Sequence, residues 1–290
     1  MQKLLFIVCF LSLEAIAQPR FELSVNVYRL PYANNTSMKV NRDHFTHTSA
    51  NGDVTGRYDL IGTNQGDGCS IYRIVAAAAG IVRRVVDNHT ASCEDCSDDN
   101  NYVWIEHANN EWSKYTHMKR FSASVDAGLV VGDTICAGTF LGYECDIGAA
   151  TGQHLHFELR RPNDPADINI SVNGGFMNRG DAEHLVPLIN SISKHYMEAG
   201  DTWTAGSTGN CATTISVPAQ TVGNDGYKVY MATSAINTNS NSIILRNGGS
   251  AVFHSGGSIT FTPGFSAEAG SYFNAKIGDC STTAFPGGCN

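Results

Sequence analysis

The segment TGQHLHFEL, residues 151–159, decides the fold of this chain more than any other stretch. In an extended strand, residues two positions apart point to the same side of a sheet. His154 and His156 therefore share one face, while Leu155 and Phe157 share the other and can pack in a core. The two imidazoles would lie about 6–7 Å apart, close enough to serve one metal ion. The segment predicts a strand with a chemical face and a core face.

Other metal-ligating residue types occur at the ends of neighbouring predicted strands. His117 ends the strand in YTHM, Asp59 lies in RYDLIG, and DHFTHT supplies His44 and His47. A catalytic zinc site takes three protein ligands and leaves the fourth position to water. Two imidazoles and a carboxylate meet that need, and two further imidazoles can accept and return a proton. We expect these side chains to converge on one zinc ion.

Alternation of apolar and polar residues, with glycine and Asn/Asp turns between the runs, predicts an all-β chain. The predicted strands are FELSVNVYRL (21–30), YRIVAAAAGIVRRVV (72–86), YVWIEHA (102–108), EWSKYTHM (111–118), GTFLGYE (138–144) and HLHFELR (154–160). Between Asp181 and Met197, the apolar spacing in HLVPLINSISKHYM instead predicts a short helix.

The C-terminal part differs in composition. Residues 199–210, AGDTWTAGSTGN, are small and polar, as a linker should be. Beyond them SIILRNGG at 242, SAVFHSGG at 250 and SITFTPGF at 258 recur every 8 residues. Such short strands cannot bury a face alone, so they are expected to stack rung upon rung. TFTPGFSAEAGSYFNAKI (260–277) resembles the small three-coathanger stack modules appended to secreted enzymes.

The N-terminus predicts export. Residues 1–17, MQKLLFIVCFLSLEAIA, combine a lysine, an apolar run and a small-residue ending, which is the layout of a signal peptide. The apolar run is shorter than the roughly 20 residues of a membrane span. The formal net charge of -8 argues against nucleic-acid or anionic-membrane partners, which select clustered Lys and Arg. A secreted, periplasmic or cell-envelope protein is expected.

Eight cysteines remain after the signal peptide, and an even number in an exported chain predicts disulfides. Cys93 and Cys96 could instead be half of a zinc ribbon, but a second CxxC pair is lacking. Proximity and position favour the pairs Cys93–Cys96, Cys136–Cys145 and Cys211–Cys280, although the sequence leaves the pairing open.

Four segments, in order, resemble a known family. YRIVAAAAGIV, WSKYTHM, VGDTICAGTFLGY and ATGQHLHFEL are similar to segments of lysostaphin-type (LytM-like, β-lytic) zinc endopeptidases, over about residues 44–162. The resemblance implies an antiparallel β-sheet domain of the duplicated hybrid motif type. It also implies one zinc ion, with Asp59 and His156 as ligands and His117 and His154 as the catalytic pair beside the water.

The first ligand departs from the family pattern, whose usual motif is HxxxD. The residue four before Asp59 is Thr55, which cannot replace an imidazole. FTHTSANGDVTGRYDL fits an arrangement with a longer insertion, so His47 is the predicted first ligand and His44 the alternative. Loss of the ligand would instead make the chain a non-catalytic relative that binds cell walls or activates other wall enzymes.

The sequence thus predicts a secreted monomeric zinc metalloendopeptidase that cleaves peptides of bacterial peptidoglycan, with glycine-rich peptides as the alternative substrate. The predicted organisation is a signal peptide (1–17), an N-terminal β segment (18–43), a zinc endopeptidase domain (44–198), a linker (199–210) and a small stacked-β accessory domain (211–290).

Overall fold

The computed structural model describes residues 21–49, 54–178, 180–206, 211–223, 226–278 and 280. The predicted signal peptide and the last four residues of the predicted linker lie outside the described residues. Within the described part, none of the helices has the length and hydropathy that a membrane span requires.

Strands make up nearly all of the regular structure, which confirms the predicted all-β class. The strands are β1 Glu22–Tyr28, β2 Ser37–Arg42, β3 Arg57–Gly62, β4 Arg73–Val75, β5 Gly80–Val86, β6 Ser92–Cys93, β7 Tyr102–Glu106, β8 Trp112–Thr116, β9 Thr134–Ile135, β10 Phe140–Tyr143, β11 Gly148–Ala149, β12 Leu155–Pro162, β13 Ala182–Ile189, β14 Thr202–Thr204, β15 Ala212–Ser216, β16 Gln220–Val222, β17 Tyr227–Asn237, β18 Ile243–Leu245, β19 Ser250–Ser255, β20 Ser258–Thr260, β21 Phe265–Ala267 and β22 Tyr272–Ile277. Single helical turns span Ser97–Asp99, Ala108–Asn110 and Ser122–Asp126.

One ten-stranded sheet dominates the molecule, in the order β14-β2-β3-β12-β8-β7-β5-β9. Its pairs along this path are antiparallel. Strand β12 lies at the centre, with β3 on one side and β8 on the other. Its second half also pairs with β13, which brings β1 alongside in parallel. The predicted N-terminal β segment therefore belongs to the same sheet.

The main core lies against one face of this sheet. Leu155, Phe157 and Leu159 of β12 are completely buried there, together with Tyr58 and Leu60 of β3. Each such side chain contributes about 1.5–3 kcal/mol by leaving water. The alternation of β12 then turns His156 to the opposite face, as the sequence predicted.

The predicted helix within residues 181–197 is wrong, because β13 occupies Ala182–Ile189. Leu185 and Ile189 pack in the main core, whereas Val186 and Leu188 pack in a second cluster on the other side of the strand. A strand buried on both faces has a continuous apolar run, and periodicity alone cannot distinguish such a run from a helix.

The segment predicted as a linker, 199–210, contains a strand. Residues Thr202–Thr204 form β14 and pair with Ser37–Lys39 of β2 at the edge of the main sheet. Residues 202–204 are thus part of an edge strand of the sheet and not of a free connection.

Strands of the C-terminal part pair in parallel, with a repeat longer than the predicted 8 residues. Tyr227 pairs with Ser250, and Ser250 with Tyr272, so stacked strands lie 23 and 22 residues apart. Strands β16, β18 and β21 stack in a second parallel sheet with the same spacing. The 8-residue units are successive sides of one coil, and the rungs stack one whole coil apart.

The disulfides correct one predicted pair. Cys93–Cys96 and Cys211–Cys280 form, but Cys145 pairs with Cys69 rather than with Cys136. Cys136 is also disulfide-bonded. The backbone of Cys145 bonds with both His117 and His154, so this bridge lies directly behind two candidate site residues.

Candidate metal centre

Strand register aligns polar residues in one row across the main sheet. Arg42 of β2 pairs with Asp59 of β3, Asp59 with His156 of β12, and His156 with Thr116 of β8. Directly opposed residues point to the same face of a sheet and lie about 4.5–5.5 Å apart. The row therefore places the carboxylate of Asp59 beside the imidazole of His156.

Three imidazoles surround one oxygen of Asp59. Oδ1 lies 3.3 Å from His156 Nδ1, 3.4 Å from His47 Nε2 and 3.6 Å from His154 Nε2. The ligating atoms of His47, Asp59 and His156 all lie within 4.8 Å of one another. Next to His47, Thr48 and Val54 form an isolated antiparallel β-bridge.

These distances suit a tetrahedral zinc ion. Ligand atoms about 2.0–2.2 Å from zinc, at tetrahedral angles, lie about 3.3 Å from each other. Asp59 Oδ1 is buried and has no hydrogen-bond partner among the described residues. A buried carboxylate oxygen without a partner is energetically unfavourable unless it meets a cation. The side chains present therefore fit the metal that their types predict.

Protonation states favour the same conclusion. Burial raises the pKa of Asp59, but the neighbouring imidazoles of His156 and His47 outweigh it and hold this pKa well below its usual range. Burial lowers the pKa of His156 to about 4. The centre thus holds an ionised carboxylate and a neutral imidazole, which are the forms that bind a metal ion.

His47 is oriented by Thr55. The Thr55 hydroxyl donates to the carbonyl oxygen of His47 at 3.0 Å, so its oxygen is free to accept a hydrogen bond from His47 Nδ1 at 2.7 Å. A neutral imidazole that donates through Nδ1 keeps its lone pair on Nε2. That atom faces Asp59. No sequence pattern indicates this role of Thr55.

His117 and His154 form a second pair, with ring centroids 4.6 Å apart. Nδ1 of His117 donates to the carbonyl oxygen of Ile147 at 2.9 Å, and Nδ1 of His154 donates to that of Gly152 at 2.8 Å. In the neutral form of each ring, this hydrogen bond leaves the lone pair on Nε2. Burial, together with the neighbouring His154 and His156, lowers the pKa of His117 well below its usual value.

His44, the alternative first ligand, points elsewhere. Its Nδ1 bonds with the Tyr58 hydroxyl at 2.8 Å, and its ring packs against Phe45 and Tyr227. It is not a member of the group that could hold the metal. The geometry brings His47, and not His44, to Asp59.

Residues 61–168 match the sequence model of peptidase family M23. This segment of the chain resembles a peptidase of family M23. The matched segment includes His117, His154 and His156 but begins after Asp59. The positions of His47 and Asp59 in the site therefore depend on the geometry alone.

Several solved structures are similar to part of the chain. The catalytic domain of EnpA from Enterococcus faecalis is 23% identical, with 49% of this chain and 87% of that chain covered and a TM-score of 0.30. The lysostaphin catalytic domain from Staphylococcus simulans is 18% identical, with 43% and 80% covered and a TM-score of 0.30. A putative glycyl-glycine endopeptidase LytM from Ruminococcus gnavus is 18% identical, with 49% and 55% covered and a TM-score of 0.35. No curated protein matches the chain.

The candidate site opens into a cleft of about 620 Å³, which all five candidate residues line. Arg42, with its side chain half exposed, lies 3.8 Å from Asp59 on one wall. Glu94, in the loop closed by the Cys93–Cys96 disulfide, lines another. Phe176 also lines the cleft and contacts the buried ammonium of Lys114 at 3.5 Å from its ring centre. The sequence had not marked Arg42 or Phe176 as cleft residues.

Proposed function

We propose that this M23 protein is a secreted zinc metalloendopeptidase, with His47, Asp59 and His156 holding one zinc ion. The observation that carries the proposal is the convergence on Asp59 Oδ1, where two imidazole nitrogens lie at the 3.3 and 3.4 Å expected of ligands sharing one ion. His117 and His154 present two further nitrogens to the same cleft.

A bound zinc ion supplies Lewis-acid activation of a water molecule near neutral pH. His117 and His154 are the proton carriers in this proposal. The carbonyl oxygens of Ile147 and Gly152 accept hydrogen bonds from Nδ1 of the two rings. Each Nε2 can therefore accept a proton from the attacking water and return it to the leaving amine. The lowered pKa of His117 keeps its ring neutral and ready to accept that proton.

The proposed substrates are peptide bonds in the stems or cross-bridges of bacterial peptidoglycan, with glycine-rich peptides as the alternative. The family match supports a peptidase, and the similar solved structures include an antimicrobial peptidase and a putative glycyl-glycine endopeptidase. The predicted signal peptide and the disulfides support an exported protein, acting as a monomer outside the cytoplasm.

The test measures metal content and cleavage together. We expect about one zinc per chain by elemental analysis, and loss of muropeptide cleavage after chelation that added zinc restores. Asp59→Ala should lose zinc, whereas His154→Ala should retain zinc and lose at least about 100-fold in kcat. His89→Ala, at a histidine outside the cleft lining, serves as the control. Full activity in the chelated, zinc-free protein would reject the proposal.

A second candidate is a non-catalytic wall-binding or activator protein of the same fold. The observation favouring it is Thr55, which stands where the family's first motif has its histidine. Binding to purified cell walls without any new amino groups released, by a zinc-loaded protein, would support this candidate over hydrolysis.

A further inference from the structure

The turn that carries His47 is held by Asp43. Oδ1 of Asp43 accepts hydrogen bonds from the backbone of Phe45 at 3.0 Å and of Thr46 at 2.9 Å, and the amide of His47 donates to the Asp43 carbonyl at 2.8 Å. Oδ2 accepts the amide of Ala199 at 2.9 Å. One side chain thus closes the turn and ties it to the segment preceding β14.

The outer side of this turn faces the C-terminal stack. The ring of His44 lies 5.3 Å from that of Tyr227, in an edge-to-face arrangement, and the ring of Phe45 lies 5.9 Å from it. His44 is only 1% exposed. Such aromatic pairs contribute about 0.5–1.5 kcal/mol beyond the area that they bury. The turn therefore packs between the metal centre and the stack.

Tyr227 is itself fixed in place. Its hydroxyl donates to the carbonyl oxygen of Phe21 at 2.7 Å, and its own carbonyl accepts from the Tyr196 hydroxyl at 3.1 Å. It begins β17, whose register with β19 pairs Tyr227 with Ser250. Tyr227 is thus a rigid contact provided by the stack and anchored to the peptidase part.

The surrounding cluster joins the same two parts of the chain. Phe21, Leu23, Val186 and Leu188 pack with Tyr227, Val229, Met231 and Val252. The match to family M23 begins only at residue 61, so the turn and its support both lie outside the matched segment. This chain places its first candidate ligand on an insertion, and the stack provides what supports that insertion.

We propose that the C-terminal stack is part of the framework of the metal centre, with Tyr227 as a positioning residue for His47 acting through His44 and Phe45. This inference rests on the proposed zinc function. It differs from the prediction that residues 211–290 are a separate accessory domain, because the loss of such a domain would leave the affinity for zinc unchanged.

The experiment compares Tyr227→Ala with Tyr230→Ala in the full-length protein. Tyr230 lies on the same strand but stacks on Phe253 in the separate core of the stack, 5.2 Å between ring centres. In Tyr227→Ala we expect about 10-fold weaker zinc binding by chelator competition, the lower end of what loss of an orienting contact causes. In the metal-free protein, hydrogen exchange of the Thr46 and His47 amides should also speed up. Tyr230→Ala should change neither.

The inference requires both effects to be specific to Tyr227. A folded Tyr227→Ala protein that keeps its zinc affinity within about twofold, or keeps its amide protection, overturns the inference, as does an equal loss in Tyr230→Ala. If Tyr227→Ala fails to fold, Phe45→Leu removes the neighbouring ring contact while keeping an apolar side chain. Amide exchange needs neither zinc nor substrate, so it still decides the inference if the wild-type protein binds no zinc or cleaves nothing.

Discussion

Thr55 stands at the position where the family pattern has its first histidine, yet it contacts the imidazole that replaces that histidine. Its hydroxyl bonds to both the carbonyl oxygen and Nδ1 of His47. A residue that orients a metal ligand is often nearly as important as the ligand itself. The residue at the motif's histidine position thus holds the imidazole of His47, the candidate ligand on the insertion.

Thr55→Val keeps the shape of the side chain but removes the hydroxyl that accepts from His47. We expect zinc affinity to fall by about 10-fold, because Nδ1 loses its partner and the ring is free to rotate. Thr55→Ser keeps the hydroxyl and should bind zinc almost as the wild type does. Competition with a fluorescent chelator measures both. Equal affinities of the valine and serine variants would contradict this role of Thr55.

Among the elements, β12 is the one whose side-chain orientations could be predicted from the sequence. Alternation with a period of two placed His154 and His156 opposite Leu155 and Phe157, because strand geometry is local. The choice between His47 and His44 depended on a turn closed by Asp43 and on a bridge between residues 48 and 54. Those contacts join residues of an irregular loop, so no periodicity reports them.

The lack of a local sequence pattern also explains the two wrong predictions, which are the helix within residues 181–197 and the 8-residue stacking repeat. Strand β13 is buried on both faces by two different cores, and its neighbours β12 and β1 come from distant parts of the sequence. In the stack, the similarity between consecutive 8-residue units reflected their common turn chemistry. Which strands pair is set by the length of a whole coil, a property of the three-dimensional winding.

Glu144 links several elements at the back of the site, and it should make stability depend on pH. It accepts hydrogen bonds from Tyr32, from the amide of Gly62 at the end of β3, and from Gln153 at 3.2 Å. Burial raises the pKa of Glu144 to about 7 despite these bonds. Because the pKa is raised, its contribution to stability is complete below about pH 4.5 and is lost as the pH rises to about 7.

Glu144→Gln removes this titration. The free energy of unfolding of the variant, relative to wild type, should rise by about 3 kcal/mol between pH 4.5 and 7.5, the equivalent of the raised pKa. Urea titrations at several pH values measure it. Glu268→Gln, at an exposed position in the stack, is the control for the substitution itself. A constant difference for Glu144→Gln would contradict the raised pKa.

At the scale of the whole molecule, disulfides and the apolar cluster around Tyr227 join parts of the chain that the sequence predicts to be separate domains. Cys69–Cys145 closes a loop with a sequence separation of 76, whereas Cys93–Cys96 spans 3. The long link also holds the backbone of Cys145, which accepts from the amide of His154 and donates to the carbonyl of His117. Loss of the Cys69–Cys145 disulfide should therefore change the geometry of the candidate site as well as the stability of the protein.

Loss of the long link should cost more than loss of the short one, since cross-linking distant residues restricts the unfolded chain more strongly. We expect the Cys69→Ser/Cys145→Ser variant to lose about 4 kcal/mol of unfolding free energy, against about 2 kcal/mol for Cys93→Ser/Cys96→Ser. Guanidinium titrations provide the comparison. Equal losses in the two double variants would show that loop length does not govern these bridges.

The row formed by Arg42, Asp59, His156 and Thr116 has one more consequence. Because its members come from four adjacent strands, a slip of one position between β3 and β12 would turn either the carboxylate or the imidazole into the apolar interior. If the proposed zinc site is correct, only chains whose strands pair in this register can bind the ion, so the bound metal would stabilise the correct strand alignment and no other.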